Sequence, residues 1–181
     1  IDPFNILALT FTNKAAREMQ HRIENIIGPA AKNVWMGPFH SIFARILRIE
    51  HSKIGYPRDF TIYDSEDSKN VIKAVVTELQ LDAKLYKPSF VHSRISLAKN
   101  SFISARQYLE DEEIVSEDLA SSRPKLGEIY LKYTQKCFKS GAMDFDDLLV
   151  KTYELLDTQP DVLNKYQHFF KFILIDEFQD T

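Results

Sequence analysis

The sequence predicts an α/β fold in which a parallel sheet, covered by helices, is interrupted by an inserted, mainly helical segment. Three observations predict it. Five of the six residues from Phe170 to Ile175 are apolar, broken only by Lys171, and the chain turns acidic at once at Asp176 and Glu177. An apolar run of this kind reads as a strand buried on both faces, as in a parallel sheet under helices. Ile6–Leu9 is a second such run, followed by a turn and an amphipathic helix. Between about residues 56 and 141 the apolar residues recur with helical rather than strand period.

Bulk composition bounds the rest. The chain has 181 residues, enough for one good core or one core with a smaller appended unit. Hydrophobic content of 44% and charged content of 27% are those of an ordinary globular protein. A net charge of −3 gives no global sign of nucleic-acid binding, so any such surface must be a local patch. The single cysteine, Cys137, excludes a disulfide framework, suits a reducing cytosol and falls at an apolar helical position, as a buried structural thiol does. No apolar stretch reaches membrane-spanning length and no signal-peptide pattern opens the chain. The chain opens almost inside a strand and stops just after an acidic motif, and so reads as a piece of a longer protein.

Taken in order, Ile6–Leu9 leads into Thr10, Phe11, Thr12 and Asn13. Thr12 or Asn13 is a good cap for a helix from Lys14 to Ile27, with apolar positions at Ala15, Ala16, Met19, Ile23, Ile26 and Ile27, ended by Gly28 and Pro29. Phe11 beside hydroxyls and a helix amino end can stack a base while backbone donors hold a phosphate; equally, Phe11 is core and Thr12 only a cap. Residues 34–37 read as a further core strand, and a helix follows from about Ile42 to His51. Phe60–Tyr63 is a short strand and Asp64 a strong helix start, with Val71, Ile72, Val75, Val76 and Leu79 as its stripe. Pro88 opens another helix to about Asn100, with Val91, Ile95 and Ala98 inside. Lys87, His92, Arg94 and Lys99 are expected on its outer face, either solvated or following a phosphate backbone. Residues 110–113 with Glu117 and Asp118 are expected to form an acidic loop. Arg123–Lys139 is a long helix, with Leu126, Ile129, Tyr130, Tyr133 and Cys137 inside, ended by Gly141. Asp144 caps a helix whose first turn holds further carboxylates; a capping role and a catalytic one both fit. Gln159 and Pro160 begin a short helix that ends near His168.

Ligands of such sheets bind beyond the carboxyl ends of the strands, which is where Asp176 and Glu177 fall. Adjacent carboxylates there can divide labour, one holding Mg²⁺ and the other orienting or deprotonating a water; the plain alternative is an acidic turn closing a core strand. The string from Asp176 to Thr181 is more specific. It resembles the Walker B motif of the UvrD/Rep-type superfamily-one DNA helicases. Ala8–Met19 is similar to motif Ia of the same family, and Gly37–Ser41 to motif Ib, except that Pro38 stands where the family has threonine. That departure removes a hydroxyl and a backbone donor. Asp144–Leu149 is similar to motif Ic, and the intervening helical segment matches subdomain 1B in place and size.

The resemblance implies an incomplete RecA-like P-loop NTPase sheet, residues 1–55 and 142–181, forming part of motor domain 1A, with 1B inserted at 56–141. It implies an ATP- and Mg²⁺-dependent motor that moves 3′ to 5′ on single-stranded DNA and acts at single-strand/duplex junctions in repair or replication restart. A cytoplasmic location and accessory repair proteins as partners go with that reading. By the same resemblance Asp176 binds Mg²⁺, Glu177 is the catalytic base and Gln179 couples the nucleotide site to neighbouring motifs, while Phe11, Thr12, Asn13, Phe39, His40 and Ser41 face the DNA. No Gly-x-x-x-x-Gly-Lys-Ser/Thr loop occurs among the five glycines, so nothing cradles the β- and γ-phosphates, and the chain alone is expected to lack ATPase activity. Two rival readings are a helicase–nuclease of the AddA/RecB type and, for the piece itself, a passive single-strand-binding or docking module.

Overall fold

The computed structural model describes residues 2–180, with Asp180 described in its backbone alone. The chain divides into two compact units, Ile1–Gly55 with Lys151–Thr181, and Tyr56–Val150.

The first unit is built on a three-stranded parallel sheet. β1 (Ile6–Thr10) lies in the middle, with β2 (Trp35–Pro38) on one side and β5 (Phe172–Ile175) on the other. Leu7 stands opposite both Trp35 and Ile173, and Leu9 opposite both Gly37 and Ile175. Leu7, Ala8, Leu9 and Thr10 are buried, as a strand paired on both edges requires. α1 (Asn13–Ile27) follows β1 and α2 (Phe39–Ile49) follows β2. α9 (Pro160–Phe169) leads into β5, and its Tyr166 stacks on Phe170 at 5.8 Å. Trp35 meets Phe170 edge-on at 5.3 Å, while the Arg45 guanidinium lies 3.6 Å from the Trp35 ring centroid. Glu50 is buried and accepts from the Tyr166 hydroxyl at 3.1 Å.

Three features of this unit differ from the sequence reading. β5 is an edge strand whose faces are open: Phe172, Ile173 and Leu174 are about half exposed, not buried on both sides. The apolar run sets the strand, but only packed neighbours bury it, and on one side β1 is its hydrogen-bonded partner. Ile26 and Ile27 at the end of α1 are likewise exposed. α2 begins at Phe39, three residues earlier than periodicity placed it, because Pro38 ends the strand in an extended conformation directly against the first helical turn.

The second unit is mainly helical. A short parallel ribbon, β3 (Thr61–Tyr63) with β4 (Ala142–Asp144), accompanies α3 (Ser65–Glu78), α4 (Pro88–Asn100), α5 (Ala105–Glu110), α6 (Glu112–Ala120) and α7 (Leu126–Lys139). Ile72, Val75, Val91, Ile95, Ile129 and Tyr133 form its core. α3 opens with a full capping box, Asp64 accepting from Asp67 N while Asp67 accepts from Asp64 N. The acidic stretch is helix, not loop. Asp111 caps α6, and Asp118 is turned inward to receive Arg94 and the Tyr108 hydroxyl. Residues 142–150, expected with the sheet, cluster with this unit because β4 pairs with β3 and the start of α8 (Phe145–Thr158) is tied to α4 through Lys99.

Candidate nucleotide and single-strand site

The carboxyl ends of β1, β2 and β5 bring the predicted site residues to one edge of one sheet. At the end of β1 the buried Thr10 hydroxyl donates to the Thr12 carbonyl at 3.1 Å, closing the turn that presents Phe11. Thr12 then caps α1, its hydroxyl accepting from Ala15 N at 3.1 Å. Phe11 is 46% exposed, and its ring centroid lies 5.3 Å from that of Phe39 at 50°. Phe39 in turn meets Phe43 edge-on at 5.9 Å. Phe11 is therefore neither core nor isolated. It belongs to an aromatic ledge spanning the ends of β1 and β2. Asn13 and Ser41 are exposed, and His40 is half-buried in the first turn of α2.

At the end of β5 the Asp176 amide donates to the Leu9 carbonyl at 3.0 Å, fixing the backbone of the first acidic residue against the end of β1. Glu177 follows with φ of +53°, a left-handed conformation uncommon for a residue with a side chain and one that concentrates at functional turns. Its carboxylate accepts from the Gln179 amide. Asp176 is half-buried, whereas Glu177, Phe178 and Gln179 are exposed. One short segment thus carries an acid whose backbone is tied to β1, a second acid in a left-handed backbone conformation, and an amide that donates to the second carboxylate.

Among the described residues no group of three or more His, Cys, Asp and Glu side chains is gathered as a metal cage. Magnesium does not need one. It keeps several waters and takes one or two carboxylates together with phosphate oxygens, a donor set that the Asp176 carboxylate fits.

One expectation is corrected. Lys99 and Arg94 do not form an outer basic face. Lys99 is 3% exposed and bonds Asp144 and Asp147, each at 2.7 Å, while Arg94 reaches the buried Asp118 at 3.2 Å. Asp144 also accepts from the Tyr133 hydroxyl at 2.7 Å and from Asp147 N at 2.8 Å. Burial would push the Asp144 carboxyl up, but Lys99 and Tyr133 outweigh it and hold it below its usual range. Burial and the neighbouring Asp144 push Asp147 up despite Lys99. Both carboxylates are committed to holding the fold, which decides between cap and catalysis in favour of the cap. Cys137 is buried, and burial pushes its thiol up to about 12, consistent with an inert structural role.

The sequence reading missed Arg17 and Gln20. With Asn13, Met36, Pro38 and Ser41 they line an open groove of about 370 Å³ beside the aromatic ledge. The signal was present: residues 13, 17 and 20 share one face of α1.

A family model described as the UvrD/REP helicase N-terminal domain matches residues 1–181, the whole chain. The chain belongs to the UvrD/REP helicase family. Among its UvrD/REP relatives it is 41% identical over its full length to an ATP-dependent DNA helicase PcrA of Bacillus subtilis strain 168. It is 40% identical to the protein of that name from Staphylococcus epidermidis strain RP62A, and 39% identical to that of Staphylococcus aureus strain COL. In each case it spans 24% of the relative's length, about a quarter. As a UvrD/REP domain, the mixed α/β fold with its small parallel sheet is that of a RecA-like helicase domain fragment.

Proposed function

We propose that this chain forms part of the first motor domain of an ATP-dependent DNA helicase that moves 3′ to 5′ on single-stranded DNA and opens duplex at junctions. The sheet-bearing unit serves as domain 1A and the helical unit as subdomain 1B. The observation that carries the reading is the Phe11–Phe39 ledge, with Phe11 exposed and Phe39 half-buried, on the same sheet edge as Asp176 and Glu177. Sequence-tolerant binding of single strands needs aromatic faces for bases, with stacking contributing about 1–3 kcal/mol per base. Phosphoryl transfer needs a metal-holding carboxylate and a base positioned near it. Asp176 would hold Mg²⁺, Glu177 accepts the proton of the attacking water, and Gln179 holds Glu177 in place. Asn13, His40 and Ser41 line the strand's path beside the two rings, and Thr12 sets the turn from which Phe11 projects. A magnesium ion held there with ATP would supply neutralisation of the phosphate charge.

The partners on this reading are single-stranded DNA, single-strand/duplex junctions and accessory repair proteins, met in the cytoplasm. The 181-residue chain alone does not hydrolyse ATP, having no loop to cradle the phosphates. Glu177→Gln in the intact protein is expected to lower DNA-stimulated ATP hydrolysis by about 10²–10⁴-fold while leaving single-strand binding in place. Hydrolysis at the unsubstituted rate would exclude Glu177 as the base.

A further inference from the structure

Pro38 offers neither an N–H nor a hydroxyl at the edge of β2, so a strand lying on the Phe11–Phe39 ledge must be held there by other donors. The groove beside the ledge supplies them. Its walls bring Arg17, Asn13 and Ser41 around Pro38. Arg17 lies one turn inside α1, and helical side chains lean toward the amino terminus of their helix, which carries the guanidinium toward the sheet edge. Among the described residues Arg17 has no ion pair, whereas the other arginine of α1, Arg22, is paired with Glu18. Gln20 already donates to Glu24 at 3.0 Å, leaving Arg17 as the groove's charged donor.

We infer that Arg17, with Asn13 and Ser41, holds a backbone phosphate of the single strand whose bases stack on Phe11 and Phe39; this rests on the single-strand reading above. The groove is open, and its α1 wall carries the polar side chains of Asn13, Arg17 and Gln20 beside Ala16. A guanidinium there gives a fork of donors that matches phosphate oxygens, and the helix amino terminus adds favourable potential. The residue acts on binding and register, not on hydrolysis.

The test is equilibrium binding of a labelled oligothymidylate to the intact protein across a salt series, without nucleotide. Each neutralised phosphate contributes about 0.7 to the slope of log K against log salt on single strands. Arg17→Ala is expected to weaken binding several-fold at low salt and reduce that slope by about 0.7. Arg17→Lys should retain the slope, and Arg22→Ala, which removes an equal charge from the same helix, should leave it unchanged. An unchanged slope in Arg17→Ala, or an equal fall in Arg22→Ala, would overturn the inference. If Phe11→Ala still weakened binding in that case, the single-strand reading would stand. Absence of any binding by the unsubstituted protein at low salt would overturn both.

Discussion

Lys99 is the residue on which the helical unit turns. A buried lysine between two carboxylates and a tyrosine hydroxyl joins α4 to the start of α8 and to β4. Removing the cation would leave two buried carboxylates facing each other, so Lys99→Met is expected to cost about 3–5 kcal/mol. The two acids should differ. Asp144 has a folded pKa below its unfolded value, so its stabilisation is present above the unfolded value and is lost as pH falls through the folded one. Asp147 is shifted the other way, its ionised form disfavoured, so a neutral amide in its place costs less. Asp144→Asn should therefore be the more destabilising near pH 7, with the gap narrowing near pH 3, in urea titrations followed by circular dichroism. Equal costs at both pH values would refute this assignment. None of it was legible in sequence. Lys99 sits on the flank of the stripe formed by Val91, Ile95 and Ala98, and its partners lie 45 and 48 residues away. Pattern alone reads such a lysine as solvated, although its long stem can reach inward from a helix flank. The left-handed Glu177 shows the same division: chemistry named the residue, and only the fold revealed what holds it.

At the scale of elements the sequence was more informative wherever local signals agreed. Thr12 starts α1, Asp64 starts α3 through a capping box, and Gly141 ends the segment after α7. Each signal is local, so it survives without knowledge of the partners. Gly141 adopts φ of +60°, and an added Cβ would lie 3.0 Å from Pro57 Cγ. Its carbonyl accepts from Thr61 N at 3.0 Å, where β3 meets β4. Gly141→Ala should accordingly lower unfolding free energy by about 1–2 kcal/mol, read in denaturant titration; an unchanged midpoint would mean the turn relaxes freely. Where burial depends on a neighbouring element, local reading failed. The apolar run of β5 gave the strand and its direction into the acidic motif, but not its open faces. The early start of α2 was hidden because Pro38 suits the end of a strand and the approach to a helix equally well.

At the scale of the molecule, a sheet of three parallel strands ends on β5 with Phe172, Ile173 and Leu174 about half exposed. An apolar strand in that position invites pairing with another copy. The 181-residue chain on its own is expected to associate in a concentration-dependent way, and Ile173→Lys to reduce the association; a clean monomer by light scattering at all concentrations would contradict this. The same sheet carries the central claim, that the edge holding Asp176 and Glu177 also carries a track for a single strand. Anisotropy of a labelled single-stranded oligonucleotide titrated with the 181-residue chain, at low and moderate salt and beside Phe11→Ala, tests it most directly. The predicted result is salt-sensitive binding that Phe11→Ala weakens by about 1–3 kcal/mol. Binding indifferent to Phe11→Ala, or no binding even at low salt, would contradict the placing of the track on this ledge.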